Sequence, residues 1–258
     1  MVLVLIDVAL SPFAQKVKIA LREKNIPFEI RGTDLTTADP VRAANPRGEI
    51  PLLLDGDAAV WDSSIILDYI EDKWPEPALL PKDPLGRARA RQIEELCDGP
   101  FEAVIFCTSE VTVFRRAQGE LQATILAEAK NSLQQLFAYL EQQLGDKPYF
   151  GGEAWGRADC AVFPHVMNAR GQRTPPPEGS KLAAWLTRAL ERPSVQQTMA
   201  EAKAGIAEFK AMAEAYAGSQ AKRQYRDYRL DWMLRAGGVA IVQEGLAKGN
   251  IRFGGLTG

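Results

Sequence analysis

The fold of the N-terminal part of this chain can be predicted from residues 2–30, VLVLIDVALSPFAQKVKIALREKNIPFEI. The continuous apolar run at residues 2–6 is typical of a buried central strand. Ser11 and Pro12 then supply a helix N-cap and a proline at the first helical position. After this helix, residues 27–30 predict a second strand parallel to the first. The stretch therefore predicts a β-α-β unit.

The helix of this unit is predicted to be amphipathic, with one face in the core and the other in solvent. Its apolar residues at helical spacing are Phe13, Val17, Ala20 and Leu21, and its polar face carries Gln15, Lys16, Lys18 and Arg22.

The pattern continues with strands and helices up to the first proline-rich stretch. Residues 34–48 are polar and predict a short irregular helix, and residues 51–54 and 58–61 predict two strands of a hairpin. A helix from Ser63 is expected to stop before Pro75. The order β-α-β-α-β-β-α predicts an α+β domain over residues 1–76.

The remainder of the chain is predicted to be helical. Residues 77–84 belong to a linker, since PEPALLPKDP contains four prolines. An all-helical domain follows over residues 85–217, with candidate helices at 84–117, 119–145, 157–169, 179–191 and 194–217. Residues 218–258 form an extension that begins basic and aromatic and ends rich in glycine. Its apolar residues, among them Tyr225, Leu230 and Trp232, predict that it packs back on the body of the protein, where it would cover an acceptor pocket or extend a dimer interface.

Composition excludes several classes of function. The chain is 258 residues long, 46% hydrophobic and 25% charged, with a formal net charge of -2, so no broad basic surface for nucleic acid is expected. No apolar run is long enough to span a membrane, and the first segment lacks the basic start of a signal peptide. Three cysteines without a C-x-x-C pair favour a reducing, cytoplasmic setting, and a single histidine leaves no metal site expected.

Four motifs in order carry a resemblance to a known family. SPFAQKVKIALREKNIPFE, NPRGEIPLLL, WDSSIILDYIEDKWP and GRADCAVFP stand at residues 11–29, 45–54, 61–75 and 156–164. Together they resemble the cytosolic glutathione S-transferase superfamily over residues 2–215. The resemblance implies a thioredoxin-like N-terminal domain, an all-helical C-terminal domain and a detoxifying transferase that works as a cytoplasmic homodimer. Glutathione would be the co-substrate, and a largely apolar electrophile would be the second substrate.

The residue at position 11 separates the functions open to such a fold. Ser-Pro-Phe resembles the tau class of plants, whereas the omega class and its bacterial relatives carry Cys-Pro-Phe; a bacterial or fungal member stays open. Conjugation of glutathione to an electrophile, including ether cleavage, is the first hypothesis. The second is an omega-type thiol reductase, which requires a cysteine to form a mixed disulfide. The third is a non-catalytic binding protein with the same fold.

Ser11 is the candidate catalytic residue. A free thiol titrates near pH 8.5, so forming a thiolate at neutral pH needs a hydrogen-bond donor and positive potential. The Ser11 hydroxyl supplies the donor, and the helix that it caps supplies free N–H groups and a positive dipole end. The alternative is that Ser11 is only a helix cap.

The resemblance also implies the residues that hold glutathione: Phe13, Glu49, Ile50, Pro51, Asp62 and Ser63. Pro51 resembles the family's cis proline, which would turn the Ile50 backbone toward the cysteinyl part. Asp62 and Ser63 would receive the γ-glutamyl end, although both are also ordinary helix caps. Glu49 departs from the family's common lysine and cannot pair with the glycyl carboxylate; Arg47 or Arg42 could replace it.

Several other residues carry structural expectations. His165, in the apolar stretch AVFPHVMN, is expected to be a hydrogen-bonded core residue, with a catalytic role as the alternative. Asp159 is expected to cap the helix that starts after Gly156. The cysteines Cys97, Cys107 and Cys160 are expected to be structural, and Phe101, Phe106 and Phe114 to be core residues, some of which could line an acceptor pocket.

Overall fold

A mixed β-sheet forms the N-terminal part of the protein in the computed structural model, which describes residues 2–33, 39–217 and 227–250. Within these residues its strands are β1 (Leu3–Asp7), β2 (Phe28–Gly32), β3 (Leu52–Asp55) and β4 (Ala58–Trp61), in the order β2-β1-β3-β4. β1 pairs parallel with β2 and antiparallel with β3, so the apolar run of β1 lies at the centre of the sheet, as predicted.

Three helices complete this part of the fold. They are α1 (Pro12–Glu23), α2 (Asp39–Ala44) and α3 (Ser63–Lys73). The order β-α-β-α-β-β-α and the thioredoxin-like arrangement are confirmed, and α3 ends before Pro75 as expected. Of the polar stretch before α2, residues 34–38 lie outside the described residues.

The chain after the prolines forms helices joined by loops in its described residues, with one isolated β-bridge between Tyr149 and Gly152. Its helices are α4 (Pro84–Leu96), a π-helical segment (Cys97–Phe101), α5 (Glu102–Thr112), α6 (Gly119–Leu144), α7 (Arg157–Gly171), α8 (Lys181–Leu190) and α9 (Pro193–Ala217). The expectation of one helix over 84–117 is wrong. The segment is interrupted at Pro100, which has no N–H to donate, and the wider π-helical turn accommodates it.

The solvent face predicted for α1 does not exist. Gln15, Lys16 and Lys18 are all buried, because α7 and α9 cover the side of α1 that points away from the sheet. The lysines pair with carboxylates there: Lys18 Nζ lies 2.8 Å from Asp7 Oδ2. A cation can be buried at such a place only because a partner offsets the loss of its hydration.

The extension contributes two further helices to the described residues, α10 (Tyr228–Arg235) and α11 (Val239–Ala247). Residues 218–226, which include Tyr225, and residues 251–258 lie outside the described part. Leu230 is partly buried, whereas Trp232 is 64% and Ile241 60% exposed.

Candidate functional site

Ser11 caps α1 just beyond the carboxyl end of β1. Its Oγ accepts a hydrogen bond from Ala14 N at 3.3 Å, and its own N–H donates to Val8 O at 2.8 Å. A hydroxyl oxygen that accepts one bond still has its hydrogen to donate. The capping role and a donor role toward a bound sulfur are therefore compatible at this position.

The segment before β3 brings a second group of backbone atoms to the same edge of the sheet. Ile6 of β1 pairs with Leu52, so Pro51 lies beside the end of β1 from which the chain runs to Ser11. The Ile50–Pro51 peptide bond is cis. The side chain of Asn45 holds the preceding turn, since its Nδ2 donates to Glu49 O at 2.8 Å.

Asp62 and Ser63 stand at the start of α3. Asp62 adopts a φ of 73°, uncommon for a residue with a side chain, and its Oδ1 accepts from Ser64 N at 3.0 Å and Ile65 N at 3.4 Å. Its side chain remains one third exposed, at 33%, whereas Ser63 is buried. Asp62 thus caps the helix and still presents carboxylate surface.

Arg47 pairs with both acidic residues at this end of the site. Its Nη2 lies 2.7 Å from Glu49 Oε2, its Nη1 lies 3.4 Å from Asp62 Oδ2, and its guanidinium lies over the Trp61 ring. Glu49 is therefore engaged by a cation within the protein. Arg42 packs against Gly48, whose φ of +62° favours glycine.

All seven residues predicted for the site line one cleft of about 2080 Å³, together with Arg42 and Arg47. Phe13 is mostly buried and contacts the His165 ring edge to face, with 6.1 Å between ring centroids. The cleft holds both the polar residues at the sheet edge and an apolar region formed by the helical part.

A buried ion network beneath the cleft was missed by sequence reasoning. Lys16 is fully buried, and its Nζ lies 2.8 Å from Glu94 Oε1 and 2.5 Å from Asp98 Oδ2. Burial opposes the charge of Lys16, but Asp98 and Glu94 raise its pKa above the ordinary value. Arg157 bonds Glu94 from the other side. No local pattern links positions 16, 94 and 157, so only the tertiary fold reveals the network.

Phe106 and Phe114 line the apolar region of the cleft, whereas Phe101 is buried in the core. Phe114 contacts Phe209 of α9 edge to face, at 6.2 Å between centroids. Phe101 is therefore a core residue as expected, whereas a role of Phe106 and Phe114 in an acceptor pocket stays a prediction.

The three cysteines also differ in burial. Cys97 and Cys160 are buried, and burial raises the pKa of each thiol. Cys107 is exposed and lines the cleft, which departs from the structural role expected for it. Its pKa is raised by burial and by Glu102 and Glu110, so the thiol form dominates at neutral pH.

His165 is a core residue, as expected. It is fully buried, and its Nδ1 lies 2.9 Å from Ala161 O, which fixes the proton on that nitrogen. Burial lowers the pKa of the ring, so it is neutral at pH 7.

Residues 2–33, 39–217 and 227–250 bring together no group of three or more histidine, cysteine or acidic residues that could hold a metal ion. None of the helices in these ranges combines the length and the apolar character needed to cross a bilayer.

The sequence matches two family descriptions. Residues 5–78 match "Glutathione S-transferase, N-terminal domain", and residues 123–188 match "Glutathione S-transferase, C-terminal domain".

Individual relatives agree with these matches. Glutathione S-transferase U28 of Arabidopsis thaliana is 32% identical over 208 residues, which are 78% of this chain and 89% of that protein. A tau-class glutathione S-transferase from mango, Mangifera indica, has a TM-score of 0.69 at 26% identity, covering 82% of this chain and 98% of its own. Rice GST1, solved in complex with glutathione, has a TM-score of 0.68 at 30% identity, covering 83% and 99%.

Proposed function

This chain belongs to the glutathione S-transferase family of enzymes, and we propose that it binds glutathione in the cleft and conjugates the glutathione thiolate to an electrophilic, largely apolar substrate. The observation that carries the proposal is Ser11. Its hydroxyl stands at the N-terminus of α1 in the same cleft as the six other predicted site residues. A donor and a helix N-terminus aimed at one place favour a negative charge there.

The chemistry follows from that placement. The thiol of glutathione loses its proton to solvent, and the Ser11 hydroxyl donates to the resulting thiolate. The sulfur lone pair then attacks an electrophilic carbon, so that a C–S bond forms while the bond to the leaving group, or a C–O bond of an epoxide, breaks. Ether cleavage is the same attack with an alkoxide as the leaving group.

The peptide lies along the cleft with its ends held separately. The γ-glutamyl end is received at the start of α3, where the Asp62 carboxylate takes the ammonium group and Ser63 the carboxylate. The Ile50 backbone pairs with the cysteinyl part as an added strand would. Phe13 lies beneath the sulfur. Arg47 or Arg42 takes the glycyl carboxylate in place of the family's lysine, and Glu49 positions Arg47.

The proposal also covers the domain bounds, the cellular location and the assembly of the protein. The domains are residues 1–76 and 85–217, joined by the linker 77–84, and of the described part of the extension α10 lies at the cleft. The protein works in the cytoplasm as a two-fold dimer, the commonest symmetry of soluble oligomers. A disulfide-exchanging reductase is disfavoured, because the Ser11 oxygen cannot form a mixed disulfide.

Glutathione-agarose retention followed by a chlorodinitrobenzene assay tests the proposal. Retention with conjugate formation is the expected result. Retention without conjugation of this or other electrophiles would indicate the non-catalytic protein, and reduction of a mixed disulfide would indicate the reductase. Failure to bind glutathione would contradict the proposal altogether.

A further inference from the structure

The first helix of the extension borders the acceptor side of the cleft. We propose that Leu230 and Leu234 of α10 form the outer wall of the acceptor pocket and determine how well large apolar acceptors bind. The inference rests on the proposed function, because it assigns a specificity role within that same site. Both leucines lie beyond the end of α9.

One face of α10 is turned to the cleft. Asp227, Leu230 and Leu234 line it, and these positions stand at i, i+3 and i+7, which bring side chains to one side of a helix. Trp232 falls about 200° around the helix from Leu230 and is 64% exposed. The face of α10 toward the cleft thus carries aliphatic residues, and the opposite face carries an aromatic residue in solvent.

The helix is fixed at its start. Asp227 is the N-cap, and its Oδ1 accepts from Leu230 N at 2.7 Å. This bond orders the first turn, on which Leu230 stands. A preorganised wall costs less entropy on ligand binding than one that must first be ordered.

The two leucines match an apolar ligand and not the polar peptide. They share the cleft lining with Phe114, Ile206 and Phe209. Leu234 is still 45% exposed although it lines the cleft, so an apolar molecule lying against it would remove that surface from water. Glutathione has charged ends that leucine cannot pair.

The size of the cleft decides which acceptors reach this wall. Its volume of about 2080 Å³ exceeds the roughly 300–1,000 Å³ typical of a site for one drug-sized ligand. There is room for glutathione and a large second molecule together. An acceptor large enough to fill the cleft contacts Leu230 and Leu234, which belong to its lining, whereas a smaller one covers only part of that lining. The contribution of Leu230 and Leu234 should therefore grow with the size of the acceptor.

The double variant Leu230→Ala/Leu234→Ala tests the inference, with Trp232→Ala as the matched control on the opposite face of the same helix. In the double variant we expect the KM for trans-stilbene oxide, a two-ring epoxide, to rise about 3- to 10-fold. The KM values for chlorodinitrobenzene and for glutathione should change less than about twofold, as should every value in Trp232→Ala.

Binding of the fluorescent probe anilinonaphthalene sulfonate gives a readout that needs no catalysis. Its Kd should rise about 3- to 10-fold in the double variant only, even if the protein conjugates neither electrophile, so failure of the proposed function is recognised separately. An unchanged probe Kd in a folded double variant would overturn the inference, as would an equal effect of Trp232→Ala. Leu230→Met, which keeps the apolar volume, should bind the probe as the wild type does; a loss there would also count against it.

Discussion

Replacing Asp159 by asparagine should destabilise the fold, because this residue in the first turn of α7 accepts four hydrogen bonds. Asp159 Oδ1 accepts from Phe150 N at 2.9 Å and Trp185 Nε1 at 2.8 Å, and Oδ2 accepts from Gly151 N at 3.1 Å and Gly156 N at 2.9 Å. The residue is fully buried. Burial raises its pKa to about 6 while the four donors act in the opposite direction, so the carboxylate is ionised at pH 7.

The magnitude follows from counting these donors. Asparagine keeps one oxygen and therefore two acceptor bonds, but its NH₂ group faces the other two N–H groups. Each buried N–H left without an acceptor costs about 1–3 kcal/mol, so the two lost bonds cost about 2–6 kcal/mol, which is an upper bound because asparagine also removes the buried charge. That is a large fraction of the roughly 5–15 kcal/mol typical of a whole protein.

Urea unfolding at pH 7 and at a single protein concentration is the assay. Asp146→Asn is the matched control, because Asp146 is 95% exposed and pairs with Lys181 at the surface, where solvent screens the pair and the midpoint of unfolding should stay that of the wild type. Conjugating activity per folded molecule should not change in either variant. If Asp159→Asn unfolded at the same urea concentration as the control, the capping account of this residue would be refuted.

Three further predictions concern the ion network, the glutathione ends and assembly. Burial opposes the charge of Glu94, but Lys16 and Arg157 lower its pKa below the ordinary 4.5; its stabilisation is therefore present above that value and lost as the pH falls through the lowered pKa. At pH 7 the free energy of unfolding of Glu94→Gln should be about 3–5 kcal/mol lower than that of the wild type. A variant whose free energy of unfolding equalled that of the wild type throughout an acid titration would contradict this. Asp62→Ala and Arg47→Ala should each raise the KM for glutathione more than they lower kcat, and an unchanged KM would remove either residue from the site. Light scattering should give about 57 kDa, twice the chain mass of 28.4 kDa, and the single-chain mass at micromolar concentration would contradict the dimer.

The sequence predicted the N-terminal part well because its signals are local. The apolar run before Ser11, the Ser-Pro helix start and the turn before β4 each act within a few residues. The same is true of the site residues at the sheet edge, since each stands where a strand ends or a helix begins.

Contacts between the two parts of the chain could not be predicted in this way. Lys16 is polar and sits opposite the apolar face of α1, which by pattern alone indicates a solvated residue. Its partners Glu94 and Asp98 are 78 and 82 positions away. The π-helical turn that carries Asp98 leaves no signal except Pro100, and a proline alone predicts only a break.

The role of α10 was also beyond local reasoning. Apolar residues in the extension indicated that it would pack on the body, over an acceptor pocket or at a dimer interface, but which of them meet the cleft depends on how the helix packs. The packed helix has Leu230 in the lining of the cleft and Trp232 in solvent.

The central claim is that the Ser11 hydroxyl stabilises the glutathione thiolate. A hydrogen bond to a charged acceptor contributes about 1.5–3 kcal/mol, and one pKa unit corresponds to about 1.36 kcal/mol. The thiolate absorbance of glutathione bound to the wild type, to Ser11→Ala and to Ser11→Thr, followed against pH, tests the claim most directly. The pKa of the bound thiol should rise by about one to two units in Ser11→Ala and stay near the wild-type value in Ser11→Thr, which keeps a hydroxyl. Superimposable titration curves for the wild type and Ser11→Ala would show that Ser11 is only a helix cap and that the claim is wrong.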